Sequence, residues 1–283
     1  MTQFQPTGFK VLPTVVKNLL IINGLFFLAT ISFGDVFHVD LTKILGLHYL
    51  TASDFKPYQF VTYMFMHGGF AHILFNMFAL WMFGNTLENV WGPRRFLIYY
   101  MVTGIGAGIV YLIWISFQIS PVISEMNNFI ETRDLAALGQ FTSEHTFRLN
   151  EFSGAIWQQF QGFEQSLRIL YANPENAQAM QTAISFMTDY KEFYLNQHVV
   201  VGASGAVFGI LLAFGMMFPN AVIYLYFAIP IKAKYFVIIY GAFELFEGVM
   251  NRPGSNIAHF AHLGGMLFGY LLIMYWKKKG EFR

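Results

Sequence analysis

Ser204, His262, His72 and Asn76 are the side chains of this chain that could do chemistry together. A serine hydroxyl is a weak nucleophile until a base takes its proton, and an imidazole within reach is such a base. Ser204 and His262 therefore suit acyl transfer. No Asp or Glu in the flanking stretches stands beside His262, so the expectation is a dyad. His72 and Asn76 are spaced i,i+4, on one helix face. With the Ser204 backbone N–H they would donate to the oxyanion, the term that usually contributes most. Gly202 and Ala203 would leave the amides of the following helix open toward that anion. Singly, each residue has an ordinary use: a serine bonding back to its own helix, an asparagine joining helices, a histidine as a satisfied polar contact. Their convergence carries the argument.

The elements that must position them lie in a membrane. Of 283 residues 55% are hydrophobic and only 12% charged, about half the charged share of a soluble domain. Six stretches approach the roughly 20 apolar residues of a span: 15–33, 70–87, 96–117, 199–218, 235–250 and 257–276. The fifth is short. A further run, 221–231, is broken by Pro230 and reads as a re-entrant or interfacial connection. Lys10, Lys17, Arg94, Arg95, Lys232, Lys234, Lys277, Lys278, Lys279 and Arg283 fall in one set of loops, which places both termini in the cytoplasm. Spans two, four and six then run inward. Ser204 and His262, each five residues past an outer helix start, would lie roughly 7.5 Å below the outer ends.

Two GxxxG patterns, Gly205–Gly209 and Gly265–Gly269, stand on the helices that carry Ser204 and His262. Small faces of this kind let backbones touch, which would bring the hydroxyl and the imidazole into reach. Absent cysteine excludes disulfides, thiol nucleophiles and Cys-ligated metal. The net charge of +1 predicts no nucleic-acid partner.

The segment 119–197 is polar, acidic and long. Asn173-Pro174-Glu175 reads as a helix start, with Asn as cap and Pro first in the helix. Met180, Ile184, Met187 and Lys191 follow at helical spacing, and Phe152, Ile156, Phe160, Phe163, Leu167 and Leu170 form a stripe before it. Two or three amphipathic helices outside the membrane are expected, as packing without chemistry. The division is thus 1–118 (spans one to three, with an outer loop at 34–66), 119–197 (insertion) and 198–283 (spans four to six).

His67-Gly-Gly-Phe-Ala-His72-Ile-Leu-Phe-Asn76, Gly202-Ala-Ser204-Gly205 and Ala261-His262-Leu-Gly-Gly265-Met-Leu-Phe-Gly269 together resemble the signature segments of rhomboid intramembrane serine proteases. The resemblance covers spans one to six in order and leaves out the long third loop. It implies an all-α membrane protein, a six-helix rhomboid-like bundle. Ser204 matches the nucleophile, His262 the general base and acid, His72 and Asn76 the oxyanion pair, and Gly202 the glycine of the GxSG turn. It also implies single-span membrane-protein substrates cut near the outer face, no cofactor, no metal, and a bacterial inner-membrane location. Tyr58-Gln59 stands where the family often has Trp-Arg, which puts the anchoring of that loop in doubt. His259 stands where an Asn is frequent, and interfacial packing is its expected role. Glu244 and Glu247 near the outer end of span five are expected to snorkel to the headgroups.

Two other classes stay open. A catalytically silent relative could bind transmembrane helices as an adaptor, although binding alone requires neither Ser204 nor His262. A metal enzyme or transporter could gather His67, His72, His259 and His262 around zinc, with Glu244 or Glu247 as the carboxylate.

Overall fold

Residues 14–37 are apolar almost throughout and follow a proline, which cannot extend a helix backward through its own N–H. A helix spans Thr14–Phe37 and ends where His38 turns left-handed at φ 54°. This computed structural model describes residues 10–225, 228–250 and 258–280. Side chains on the outer face of that helix, Leu25 and Leu28 among them, are about 60% exposed (60% and 61%), an arrangement that suits lipid rather than water. Its open N-terminal amides are met from elsewhere. Val15 and Val16 N–H donate to the two carboxylate oxygens of buried Glu88 at 2.9 and 2.8 Å, a negative charge placed at the positive end of a helix.

Three described helices are long and apolar enough to cross a membrane: Thr14–Phe37, Phe70–Trp91 and Pro93–Thr132. The helix Phe70–Trp91 contains one π turn at Leu80–Gly84. Shorter or more polar helices follow at Ser204–Met217, Ala233–Met250 and His259–Lys278. The fold is mainly helical but not purely so. The run 221–231 forms part of an antiparallel hairpin, Val222–Leu225 against Ile229–Lys232, with Pro230 opposite Tyr224. The run expected as a re-entrant or interfacial connection is thus two short strands in a mainly helical chain, as its β-branched residues allow.

The chain divides into two compact units. One comprises residues 1–47, 56–113 and 199–283, and the other residues 48–55 and 114–198. In the first, Gln59 is fully buried, and its Nε2 donates to the Ile44 carbonyl at 3.2 Å, as the Tyr58 hydroxyl does at 3.3 Å. The Tyr58-Gln59 pair thus does anchor its loop, by amide and phenol.

The second unit has its own core of Met126, Phe129, Phe141, Phe163, Phe186 and Tyr190, among others. It corrects several expected boundaries. The third apolar helix does not stop at 117 but runs through Pro121 to Thr132; Met126 and Phe129 on its later turns are wholly buried in that core. Asn173 closes the helix Ala155–Ala172, and the next begins at Ala177, with the Asn176 side chain accepting from Ala179 N–H at 2.9 Å. The cap is an Asn as expected but sits three residues later, and Pro174 belongs to the turn. Phe152 stands outside the stripe, 89% exposed in a 3₁₀ turn. Lys191 Nζ donates to Asn127 Oδ1 at 2.9 Å.

Candidate active site

The glycine at 202 dictates where the Ser204 helix begins. Gly202 adopts φ 128°, a region open to residues without a Cβ, and its N–H donates to the Tyr63 carbonyl at 2.9 Å. Residues 199–200 are extended, so the helix starts at Ser204 and not at 199. The expected five-residue depth is replaced by a sharper device: Ser204 is the first helical residue. The first backbone bond of the turn runs from Val207 N–H to the Ala203 carbonyl. The N–H groups of Ser204, Gly205 and Ala206 therefore have no acceptor within the helix.

The Ser204 and His262 helices meet through glycine. A methyl group on Gly265 would overlap the Gly205 carbonyl, and one on Gly209 would lie 3.0 Å from the Gly265 carbonyl oxygen. Gly205 also faces Ala107, and Gly269 faces the Tyr99 hydroxyl, which donates to the Gly209 carbonyl at 2.8 Å. The two GxxxG faces thus pack on each other and on the helix Pro93–Thr132.

At this contact Ser204 Oγ lies 2.8 Å from His262 Nε2. His262 is third after its helix start at His259, is 9% exposed, and lies flat against Phe208, ring centroids 4.2 Å apart with 5° between planes. Sequence reasoning missed Phe208, although it stands four residues after Ser204 and therefore on the same helix face.

The larger correction concerns Glu244. It is not at the headgroups: it is 3% exposed, and its Oε2 lies 2.8 Å from His262 Nδ1 and 2.7 Å from His259 Nδ1. A carboxylate can only accept, so His262 donates from Nδ1 and its Nε2 presents a lone pair to the Ser204 hydroxyl. His262 therefore does have an acidic neighbour. A one-dimensional reading could not see it, because Glu244 belongs to a different helix, Ala233–Met250. His259 likewise is a partner of Glu244, beyond simple interfacial packing.

The Gly68 N–H donates to His72 Nδ1 at 3.3 Å, which leaves the proton of His72 on Nε2. A Cβ on Gly202 would stand 2.8 Å from that nitrogen and 3.6 Å from Ser204 Oγ, so His72 borders the Ser204 turn. Asn76 is buried, and its Nδ2 donates to the His72 carbonyl at 2.8 Å; one hydrogen of the amide is thereby committed to its own helix. His67 packs edge-on to His72, ring centroids 5.0 Å apart. Among the described residues, the acid and histidine atoms close enough to share a metal are those of Glu244, His259 and His262, within 4.8 Å of one another. His67 and His72 are not in that group, so the four-histidine zinc site is not formed.

A Rhomboid domain profile matches residues 54–121 and 171–279. The chain belongs to the rhomboid family. Its similarity to curated rhomboids is partial in each case. Rhomboid-like protein 11, chloroplastic, of Arabidopsis thaliana is 25% identical over 151 residues, 47% of this chain and 54% of that protein. Rhomboid protease GluP of Bacillus subtilis is 31% identical over 97 residues, 34% of this chain and 18% of that protein. RHOMBOID-like protein 12, mitochondrial, of Arabidopsis thaliana is 22% identical over 276 residues, 95% of this chain and 60% of that protein. The matches thus span about half or less of the first two relatives' own length. Family and apolar helices together establish a helical membrane protein.

Proposed function

We propose that this rhomboid is an intramembrane serine endopeptidase, with Ser204 as nucleophile and His262 as general base and acid. The observation that carries this reading is the 2.8 Å approach of Ser204 Oγ to the unprotonated Nε2 of His262. In the first step Oγ attacks the substrate carbonyl while its proton passes to Nε2. The tetrahedral oxyanion is held by the open Ser204 N–H, by His72 Nε2–H and by the remaining hydrogen of Asn76 Nδ2. The imidazolium then gives its proton to the departing amine, leaving an acyl-enzyme on Ser204. Water, deprotonated by the same nitrogen, releases the acid. No cofactor or metal enters these steps.

Six spans, the first three in 1–118 and the last three in 198–283, with 119–197 as an extracytoplasmic helical insertion between them, complete the reading. Substrates are single-span membrane proteins cut near the outer face of the bilayer. Both termini lie on the cytoplasmic side of a bacterial inner membrane, on the strength of the basic loops. The relatives include proteins named chloroplastic and mitochondrial as well as a bacterial one.

The test is cleavage of a generic single-span substrate in proteoliposomes by the parent, Ser204→Ala and His262→Ala. Cleavage lost in both variants supports the dyad. An inert parent that still captures substrate, with both variants capturing equally, moves the silent adaptor ahead. Cleavage surviving Ser204→Ala overturns the chemistry.

A further inference from the structure

We infer that Glu244 is the positioning residue of His262, so that the reacting set is Ser204–His262–Glu244, with His259 steadying the carboxylate. This assignment rests on the protease reading above and extends it to a third side chain from a third helix. A carboxylate buried to 3% exposure is costly unless donors satisfy it. Here both donors are imidazole Nδ1 atoms, at 2.7 and 2.8 Å on the same oxygen. The cost is offset at the one place where a fixed negative charge assists the reaction.

Three effects follow from the geometry. Glu244 holds the His262 proton on Nδ1, so the nitrogen facing Ser204 is the accepting one. It also fixes the ring plane, which Phe208 supports from one face. During attack, His262 takes the serine proton and becomes a cation whose Nδ1–H already points at an anion, so no group has to move when the charge appears. His259 approaches the same oxygen from another position on the His262 helix. Its bond limits rotation of the carboxyl, while its own nitrogen does not touch Ser204. In this chain the orientation of the base is supplied by the helix Ala233–Met250, not by the helix that bears the base.

The test uses the full chain in proteoliposomes with a single-span substrate, plus a fluorophosphonate probe that labels an activated serine. Glu244→Gln keeps the shape but offers an amide that can donate to Nδ1 and so turn the wrong tautomer toward Ser204. A fall of roughly 10²–10⁴-fold in kcat is expected, as when the acid of a serine triad is neutralised, with KM unchanged and labelling of Ser204 slowed in proportion. Glu244→Asp, which keeps the charge, should lie between the parent and Glu244→Gln. His259→Gln should cost less than Glu244→Gln, because it loosens the carboxylate without removing it. A Glu244→Gln protein that matches the parent in kcat and labelling overturns the assignment while leaving the protease reading intact. So does one whose loss lies wholly in KM. A parent that neither cleaves nor labels sinks the protease reading, and this assignment falls with it.

Discussion

The ring of Phe208 lies parallel to that of His262, 5° between planes and 4.2 Å between centroids. Phe208 stands one helical turn after Ser204, so the helix that carries Ser204 also carries the surface on which the His262 ring rests. An aromatic pair of this kind contributes about 0.5–1.5 kcal/mol beyond area, equivalent to a few-fold to tenfold in rate if the base must hold its plane. Phe208→Ala should therefore lower kcat by about tenfold, and Phe208→Tyr should stay near the parent. Steady-state cleavage in proteoliposomes measures both.

His72 borders the Gly202 turn with Nε2–H free to donate, whereas Asn76 already spends one hydrogen on the His72 carbonyl. Loss of an oxyanion donor costs about 10²–10³-fold in kcat. His72→Ala should reach that range with KM unaltered, and Asn76→Ala should fall short of it. Equal losses at the two positions would mean that the Asn76 amide turns toward the substrate.

At Gly265 even one methyl group has nowhere to go, because the Gly205 carbonyl occupies its place. Gly265→Ala should separate the two helices, lower the thermal midpoint and remove cleavage. Gly24→Ala, where a Cβ meets nothing within 4 Å, is the matched control and should leave both unchanged. Differential scanning fluorimetry alongside the cleavage assay separates the two cases.

Within the second unit, burial pushes the His145 imidazole below its ordinary value, with the charge of Arg148 adding to the effect. Burial does the same at His198, partly opposed by its bond to the Tyr194 carbonyl. In the unfolded chain both take up a proton near pH 6.5; folded, they resist it. The unfolded state thus binds more protons below about pH 6.5, and stability falls as pH drops from there toward the lowered folded values. Thermal midpoints between pH 7.5 and 5 should decline, and the decline should be shallower in a His145→Gln, His198→Gln double variant. An identical slope in parent and variant would assign the acid sensitivity to other groups.

Much of the site can be read along the chain because its signals are local. Ser204 after a glycine turn, His72 and Asn76 one turn apart, and paired GxxxG faces each need only a few consecutive residues. What escaped depends on which helices become neighbours. Glu244 looks like any acid near the end of an apolar helix until the helix at 259–278 is packed against it. The helix start at Ser204 is hidden in the sequence because 199–203 is as apolar as a span, and only the φ of Gly202 separates strand from helix. Helix boundaries around 117–132 and 173–177 are hidden for a similar reason: a proline followed by a buried stripe, or a turn with several capping residues in a row, admits more than one solution locally.

Many of the bonds that set this site in place are made to the main chain. Gly202 N–H reaches the Tyr63 carbonyl, the Tyr63 hydroxyl reaches the Gly104 carbonyl at 2.6 Å, and Tyr99 reaches the Gly209 carbonyl at 2.8 Å. A peptide group offers the same donor and acceptor whatever side chain it bears. Such a scaffold is forgiving of sequence drift at most surrounding positions and intolerant at a handful, chiefly the glycines and the two tyrosines. The expected record of variation in a deep mutational scan is therefore sparse: a few positions that accept almost nothing, set among neighbours that accept nearly any apolar residue.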